Sequence, residues 1–155
     1  MYQQVLGFDC SSYAIHMVEL DMATHEIVRM DKWADKSKDL EARFNAIVDA
    51  FEKNSELDMG DRIAVIENPI YVQSAKATIA ITNVIAGTKR ALHRMDIEYR
   101  AVANTSWKKM VLSNGMASKE EIMNFAKMKW KDIEFKEQDW ADAACIALYG
   151  AILLK

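Results

Sequence analysis

QQVLGFD, residues 3–9, decides how the rest of the chain is read. Val5 to Phe8 suit a buried strand, and the run closes on a lone carboxylate, Asp9. Residues 13–21 and 25–31 mix Val, Ile and Met with polar neighbours and predict two further strands, with DMATHE (21–26) turning between them. Leu40, Phe44, Ile47, Val48 and Phe51 recur at helical spacing and predict a helix over 37–53. RIAVIE, residues 62–67, reads as a short apolar strand ending in Glu67, and Pro69 stops it. A long helix rich in Ala and Ile over 74–94, with Gly87 inside it, precedes a strand at 97–103. NTSWKKMVLSNGMA, residues 104–117, reads as a polar loop. Ser118 and Glu121 form a capping-box signature for a helix over 119–130, and the last helix begins near Asp139 and runs into AACIALYGAILL.

The predicted order is βββ-α-β-α-β-α-α. That is an α/β layout with a mixed five-stranded central sheet flanked by helices, as in a ribonuclease H-like domain. A length of 155 residues fits one domain, 1–155, with a substantial core. With 51% hydrophobic and 28% charged residues, a disordered tail or a fibre is excluded. Cys10 and Cys145 form no CxxC and no zinc-ligand spacing, which favours a reducing, cytoplasmic setting. The N-terminus lacks a secretory pattern, and the longest apolar run, residues 143–154, is too short to span a membrane.

The net charge of −3 hides a division along the chain. Residues 1–62 carry net −6, residues 63–131 net +6 and residues 132–155 net −3. The middle segment is basic enough to face a polyanion, unless folding mixes the signs. Its candidate phosphate contacts are Lys76, Lys89, Arg90, Arg94, Arg100, Lys108, Lys109 and Lys119. Tyr71 and Trp107 can stack on splayed bases, with core packing as the competing role for Trp107.

Four carboxylates carry the chemistry. Asp9 and Glu67 each end a strand, where sites in α/β sheets form. Asp139 and Asp142 lie three apart at the start of the last helix, one turn from each other. Taken singly, each is also a plausible turn, cap or helix-dipole residue. Together they repel unless protons or cations intervene, and hard divalent cations such as Mg²⁺ take oxygen donors. Two cations about 4 Å apart can clamp a phosphodiester undergoing in-line attack. His16 in a strand, His25 at a turn and His93 late in a helix read as structural or exposed residues, not as the general base.

Taken in order, GFDCS (7–11), VIE (65–67), SWKKMVLSNGMASKEE (106–121) and DWADAACIALYGA (139–151) resemble the RuvC-type Holliday junction resolvases. The resemblance implies a Mg²⁺-dependent endonuclease for four-way and other branched DNA. It would act as a homodimer through the helix at 74–94, making paired symmetric nicks that leave 5′-phosphate and 3′-hydroxyl ends. By position, Asp9, Glu67, Asp139 and Asp142 resemble the catalytic metal ligands. Asp9 would bridge two Mg²⁺ ions, with Mn²⁺ as a possible substitute; Glu67 and Asp142 would hold one each, and Asp139 would add a ligand or position water. Lys108 or Lys109, and Lys119, resemble the lysines near the scissile backbone. The chain departs from the family at Cys10 and Ser11, which replace a proline and a glycine, and at Ser106-Trp107-Lys108-Lys109, which replaces a glutamine-valine-lysine run. The aromatic that helps open the junction is expected where Ile70 stands, and here it follows one position later as Tyr71. Such divergence in a compact chain resembles a phage-encoded member, which would work in the host cytoplasm. Three alternatives stand beside this reading. One is a relaxed branched-DNA nickase or hybrid-cutting ribonuclease H-type enzyme. Another is a non-catalytic nucleic-acid-binding protein. The third, an actin or sugar-kinase type fold, is disfavoured by the short chain and the lack of glycine-rich phosphate loops.

Overall fold

A computed structural model of the chain describes residues 1–58, 60–70 and 74–155. β1 (Gln4–Cys10), β2 (Ala14–Asp21) and β3 (Ile27–Ala34) form an antiparallel meander. The Asp21 carboxylate accepts from the amides of Ala23 and Thr24 and so closes the β2–β3 turn. β4 (Arg62–Glu67) lies parallel to β1 on its other side, and β5 (Glu98–Val102) lies parallel to β4. The sheet order is β3-β2-β1-β4-β5, the mixed five-stranded arrangement expected from the sequence.

Strand alternation sends successive side chains to opposite layers. Leu6 and Phe8 of β1, with Ala64 and Ile66 of β4, pack against α1 (Leu40–Asn54) and α2 (Ala75–Arg94). Val5 of β1, with Ile63 and Val65 of β4, packs under α5 (Gln138–Leu153) on the other face. α3 (Asn104–Leu112) and α4 (Lys119–Lys129) flank α5 in that layer.

Gly7 sets how close α5 comes. A Cβ on Gly7 would lie 2.2 Å from the Ala143 carbonyl oxygen and 2.4 Å from the Ala147 nitrogen. The α5 backbone therefore rests directly on β1, made possible by alanines along its buried side. This close crossing carries the first turn of α5 over the end of β1.

One expectation is corrected. Residues 104–112 are a helix, α3, and not part of a loop, so the order gains one helix. The usual signals are missing at both ends. Ala103 caps the start without a side-chain hydrogen bond, and the C-cap is Ser113 in the left-handed region (φ 59°) instead of glycine. Among the described residues, no helix is long and apolar enough to cross a membrane.

Candidate active site

Parity places Asp9 two residues beyond Gly7 on the α5 face, and Glu67 two residues beyond Val65 on that same face. β1 and β4 are parallel neighbours in register Phe8–Ile66, so their carboxyl ends, and these two acids, lie side by side. The first turns of α5 add Asp139 and Asp142 from above. Carboxylate oxygens of Asp9, Asp139 and Asp142 lie within 4.8 Å of one another. Glu67 stands outside that tight group yet close enough for its charge to bear on both Asp9 and Asp142.

Each acid has its own support. Glu67 Oε2 accepts from the indole N–H of Trp107 and, at 3.2 Å, from the Asn104 side-chain amide. Both donors come from α3, three residues apart on one helix face. Gln138 Nε2 donates to Asp142 Oδ1 at 3.0 Å, one helical turn back on α5. Asp139 faces the buried ring of His16, with 3.8 Å between its Oδ2 and Nδ1. His16 is the direct cross-strand partner of Asp9. Its Nε2 lies 3.0 Å from Glu137 Oε2, and Lys32 Nζ bonds the same carboxylate at 2.8 and 3.0 Å.

The electrostatics of the group favour a bound cation. Protein atoms crowd Asp9, and this burial holds its carboxyl well above the usual range; the charges of Asp142, Asp139 and Glu67 add to the shift. Burial pushes Asp142 up to about 6, against the hydrogen bond from Gln138, and Glu67 and Asp139 raise it further while Lys108 opposes them. His16 is held below its ordinary value, first by burial, with the Glu137 hydrogen bond acting the other way. Hard oxygen donors whose ionised forms are mutually disfavoured are the donor set a divalent cation satisfies. The residues present therefore fit such an ion.

The expected cationic residues divide. Lys108 is near enough to bear on Asp142 and so flanks the site, whereas Lys89 bears on Cys10, which faces α2. Arg94 is committed to Glu52 at 3.2 Å and Arg100 to Glu98 at 2.5 Å. Among the described residues no ion pair engages Lys76, Lys89, Arg90, Lys108, Lys109 or Lys119. Folding mixes the signs only in part.

Trp107 needs correction as a base-stacking residue. Its ring is 1% exposed, packed in the core beneath the site, and its N–H is committed to Glu67. It is a core residue that holds the Glu67 carboxylate. Tyr71 lies outside the described residues. Reading residues 104–117 as a loop also hid Asn104; the signal available was the Asn104/Trp107 spacing of three. His16 was detectable only through its register opposite Asp9.

The family described as Lactococcus phage M3 protein (DUF3882) matches residues 9–151, a span that includes all four carboxylates. This chain belongs to that family. Its description as a phage protein agrees with the phage-type resemblance read from the sequence. No curated protein matches this family member. Among solved structures, RuvC from Thermus thermophilus matches with a TM-score of 0.72 at 13% identity, covering 97% of this chain and 95% of that one. T. thermophilus RuvC in complex with Holliday junction substrate matches with a TM-score of 0.74 at 14% identity, covering 97% and 93%. At these identities the likeness is one of fold, and the fold is ribonuclease H-like.

Proposed function

We propose that the chain, residues 1–155, is one nuclease domain that cuts four-way and other branched DNA in a divalent-cation-dependent reaction, with Mg²⁺ as the working ion. The observation that carries this reading is the convergence of Asp9, Asp139 and Asp142 within 4.8 Å, with Glu67 beside them. They meet at the carboxyl edge of a sheet whose fold matches junction-bound RuvC.

Asp9, Asp139 and Asp142 hold the cations, and Glu67 completes the donor set from the neighbouring strand. Cations bound there would supply Lewis acidity at the scissile phosphate and a water of lowered pKa. Trp107 and Asn104 both donate to Oε2 of Glu67 and so fix its carboxylate, leaving the other oxygen uncommitted to them. Gln138 orients Asp142. Lys108, at the rim beside Asp142, offers a cation to the substrate phosphate. A small cleft of about 130 Å³ runs from Asp9 and Glu67 past Asn68, Pro69 and Ile70 to Ile81 and Ile85 of α2, giving a path beside the acids.

Paired symmetric nicks, with 5′-phosphate and 3′-hydroxyl ends, require two such sites facing one junction. In this reading a homodimer brings them together through α2. Its outer side exposes Ile79, Asn83, Ala86 and Arg90 along an apolar groove of about 650 Å³ shared with Leu40 and Phe44 of α1. The working location is the host cytoplasm.

The test is Mg²⁺-dependent nicking of a four-way junction, compared at equal concentration with a fork, a nicked duplex and an RNA–DNA hybrid. Symmetric paired cuts in the junction are expected, removed by chelation and by Asp9→Asn. Wild-type turnover in Asp9→Asn overturns the site assignment, and preference for the hybrid moves the protein to a ribonuclease H-type activity. Binding should weaken steeply with salt as the free lysines release counterions.

A further inference from the structure

His16 is 1% exposed, and its Nδ1 has no hydrogen-bond partner among the described residues. A polar atom at such depth is normally satisfied. The other ring nitrogen explains which way the lone pair points. Nε2 lies 3.0 Å from Glu137 Oε2, and Lys32 grips both oxygens of that carboxylate at 2.8 and 3.0 Å. A carboxylate held by a lysine accepts and cannot donate, so the hydrogen-bond pattern assigns the imidazole proton to Nε2. In the neutral ring, Nδ1 is then a bare lone pair aimed at Asp139 Oδ2, 3.8 Å away. His16 is buried while the Asp139 side chain stays 40% exposed, so the two acceptors meet at the rim of the site, where they repel unless a cation or a hydrogen-bond donor lies between them.

We infer that His16 Nδ1 and Asp139 together hold a cation of the active site, with Glu137 and Lys32 as the brace that fixes the ring. A metal-ligating histidine typically donates its other N–H to a carboxylate, which sets the tautomer and the ring direction. Here that carboxylate is Glu137, on the residue that caps α5, two positions before Asp139. A cation about 2.1 Å from each donor spans the separation with a shift of a few tenths of an ångström. Oxygens of Glu137 and Asp139 and a ring nitrogen of His16 all lie within 4.8 Å of one another. The cluster opens into a cleft of about 460 Å³ that also includes Ser11, Tyr13 and Lys36, so ions can reach it from solvent. Trp140 closes the ring from the side, edge-on with centroids 4.7 Å apart.

One consequence separates this donor pair from the all-oxygen group next to it. Imidazole nitrogen suits first-row transition ions such as Zn²⁺, Fe²⁺ and Ni²⁺, with Mn²⁺ the weakest of the row, whereas Mg²⁺ takes oxygen donors. The protein therefore discriminates between ions at one position of its site and not at the other. This inference rests on the proposed reading of the acids as a cation site.

The test is pulsed EPR of the protein loaded with Mn²⁺ alone, without DNA. A ¹⁴N coupling from directly bound imidazole is expected in the wild type and absent from His16→Gln, whose Mn²⁺ affinity should fall about tenfold or more. The chain has only three histidines, so if His16→Gln does not fold, the His25→Gln/His93→Gln double variant must keep the coupling. A wild-type spectrum at saturating Mn²⁺ without ¹⁴N coupling, a coupling that survives in folded His16→Gln, or no Mn²⁺ uptake at all would each overturn the inference. Junction cleavage without nitrogen coordination defeats this inference alone; nitrogen coordination without cleavage of any DNA defeats the nuclease reading alone.

Discussion

Asp9 and Cys10 are neighbours on β1, yet alternation sends them into different chemistry. Asp9 joins three other acids under α5, where its carboxyl is held well above the usual range. Cys10 turns to the α2 side, with its Sγ 3.7 Å from Thr88 Oγ1, and burial pushes its thiol up to about 12. A thiol so disfavoured as thiolate is a poor nucleophile and a poor ligand. The two helical layers differ in the same sense. α5 lies on the backbone of β1 at Gly7, whereas the atoms nearest a Cβ on Gly87 of α2 belong to the side chains of Val48 and Phe44 on α1. The face that gathers the four acids is the one where a helix comes closest and arrives with its acidic first turn.

The sharpest way to break this comparison is to swap one residue on each side. Asp9→Asn should lower junction cleavage at least about a hundredfold, while Cys10→Ser should stay within about twofold, both read as single-turnover rates. Equal losses would remove the distinction between the faces. The next largest effect is on stability. Gly7→Ala drives a methyl into α5 backbone and should cost about 3 kcal/mol in denaturant unfolding. Gly87→Ala meets Val48 Cγ2 at 2.7 Å and Phe44 Cε2 at 2.8 Å and should cost about 1–2 kcal/mol, less than Gly7→Ala because side chains give more readily than backbone and helix propensity improves.

A subtler pair concerns the support of Glu67. Trp107→Phe keeps most of the buried ring but removes the N–H that Glu67 accepts. Cleavage should fall about tenfold, with the fold retained by far-ultraviolet circular dichroism and an unchanged cooperative unfolding transition. The smallest effect is a pH dependence. For an acid with a raised pKa, the stabilising contribution is complete below its ordinary value and is lost as pH rises through the shifted one. Asp142, at about 6, and Asp9 act in this sense. Cation-free protein should therefore melt a few degrees lower at about pH 7.5 than at about pH 5, and divalent cation should raise Tm more at the higher pH. Below about pH 4 the trend reverses, as Asp21, Asp35 and Glu137, whose carboxyls are held low by hydrogen bonds, take up protons. Asp142→Asn should flatten the slope between the two higher values.

The parts of this site that lie at the ends of local patterns were legible before folding. Asp9 and Glu67 close apolar runs whose period marks them as strands, and Asp139 and Asp142 open an apolar helix. Each position follows from alternation or helical spacing, which depend only on near neighbours in the chain. α3 escaped because its boundaries carry no side-chain cap and no glycine. Asn104 belongs to that helix, and the burial of Trp107 makes it a core residue and not a stacking one.

What QQVLGFD determined by itself was a strand with a carboxylate at its exit. Sequence also determined the α/β order, the four acids and the basic middle segment. Only tertiary structure decided that Asp9 faces α5 and not α2, that Glu67 is gripped by an indole, and that His16 turns an unpartnered nitrogen toward Asp139. Those outcomes depend on strand register and on how closely α5 packs over Gly7. Both are settled by contacts between segments far apart in the chain, where no local pattern carries the information.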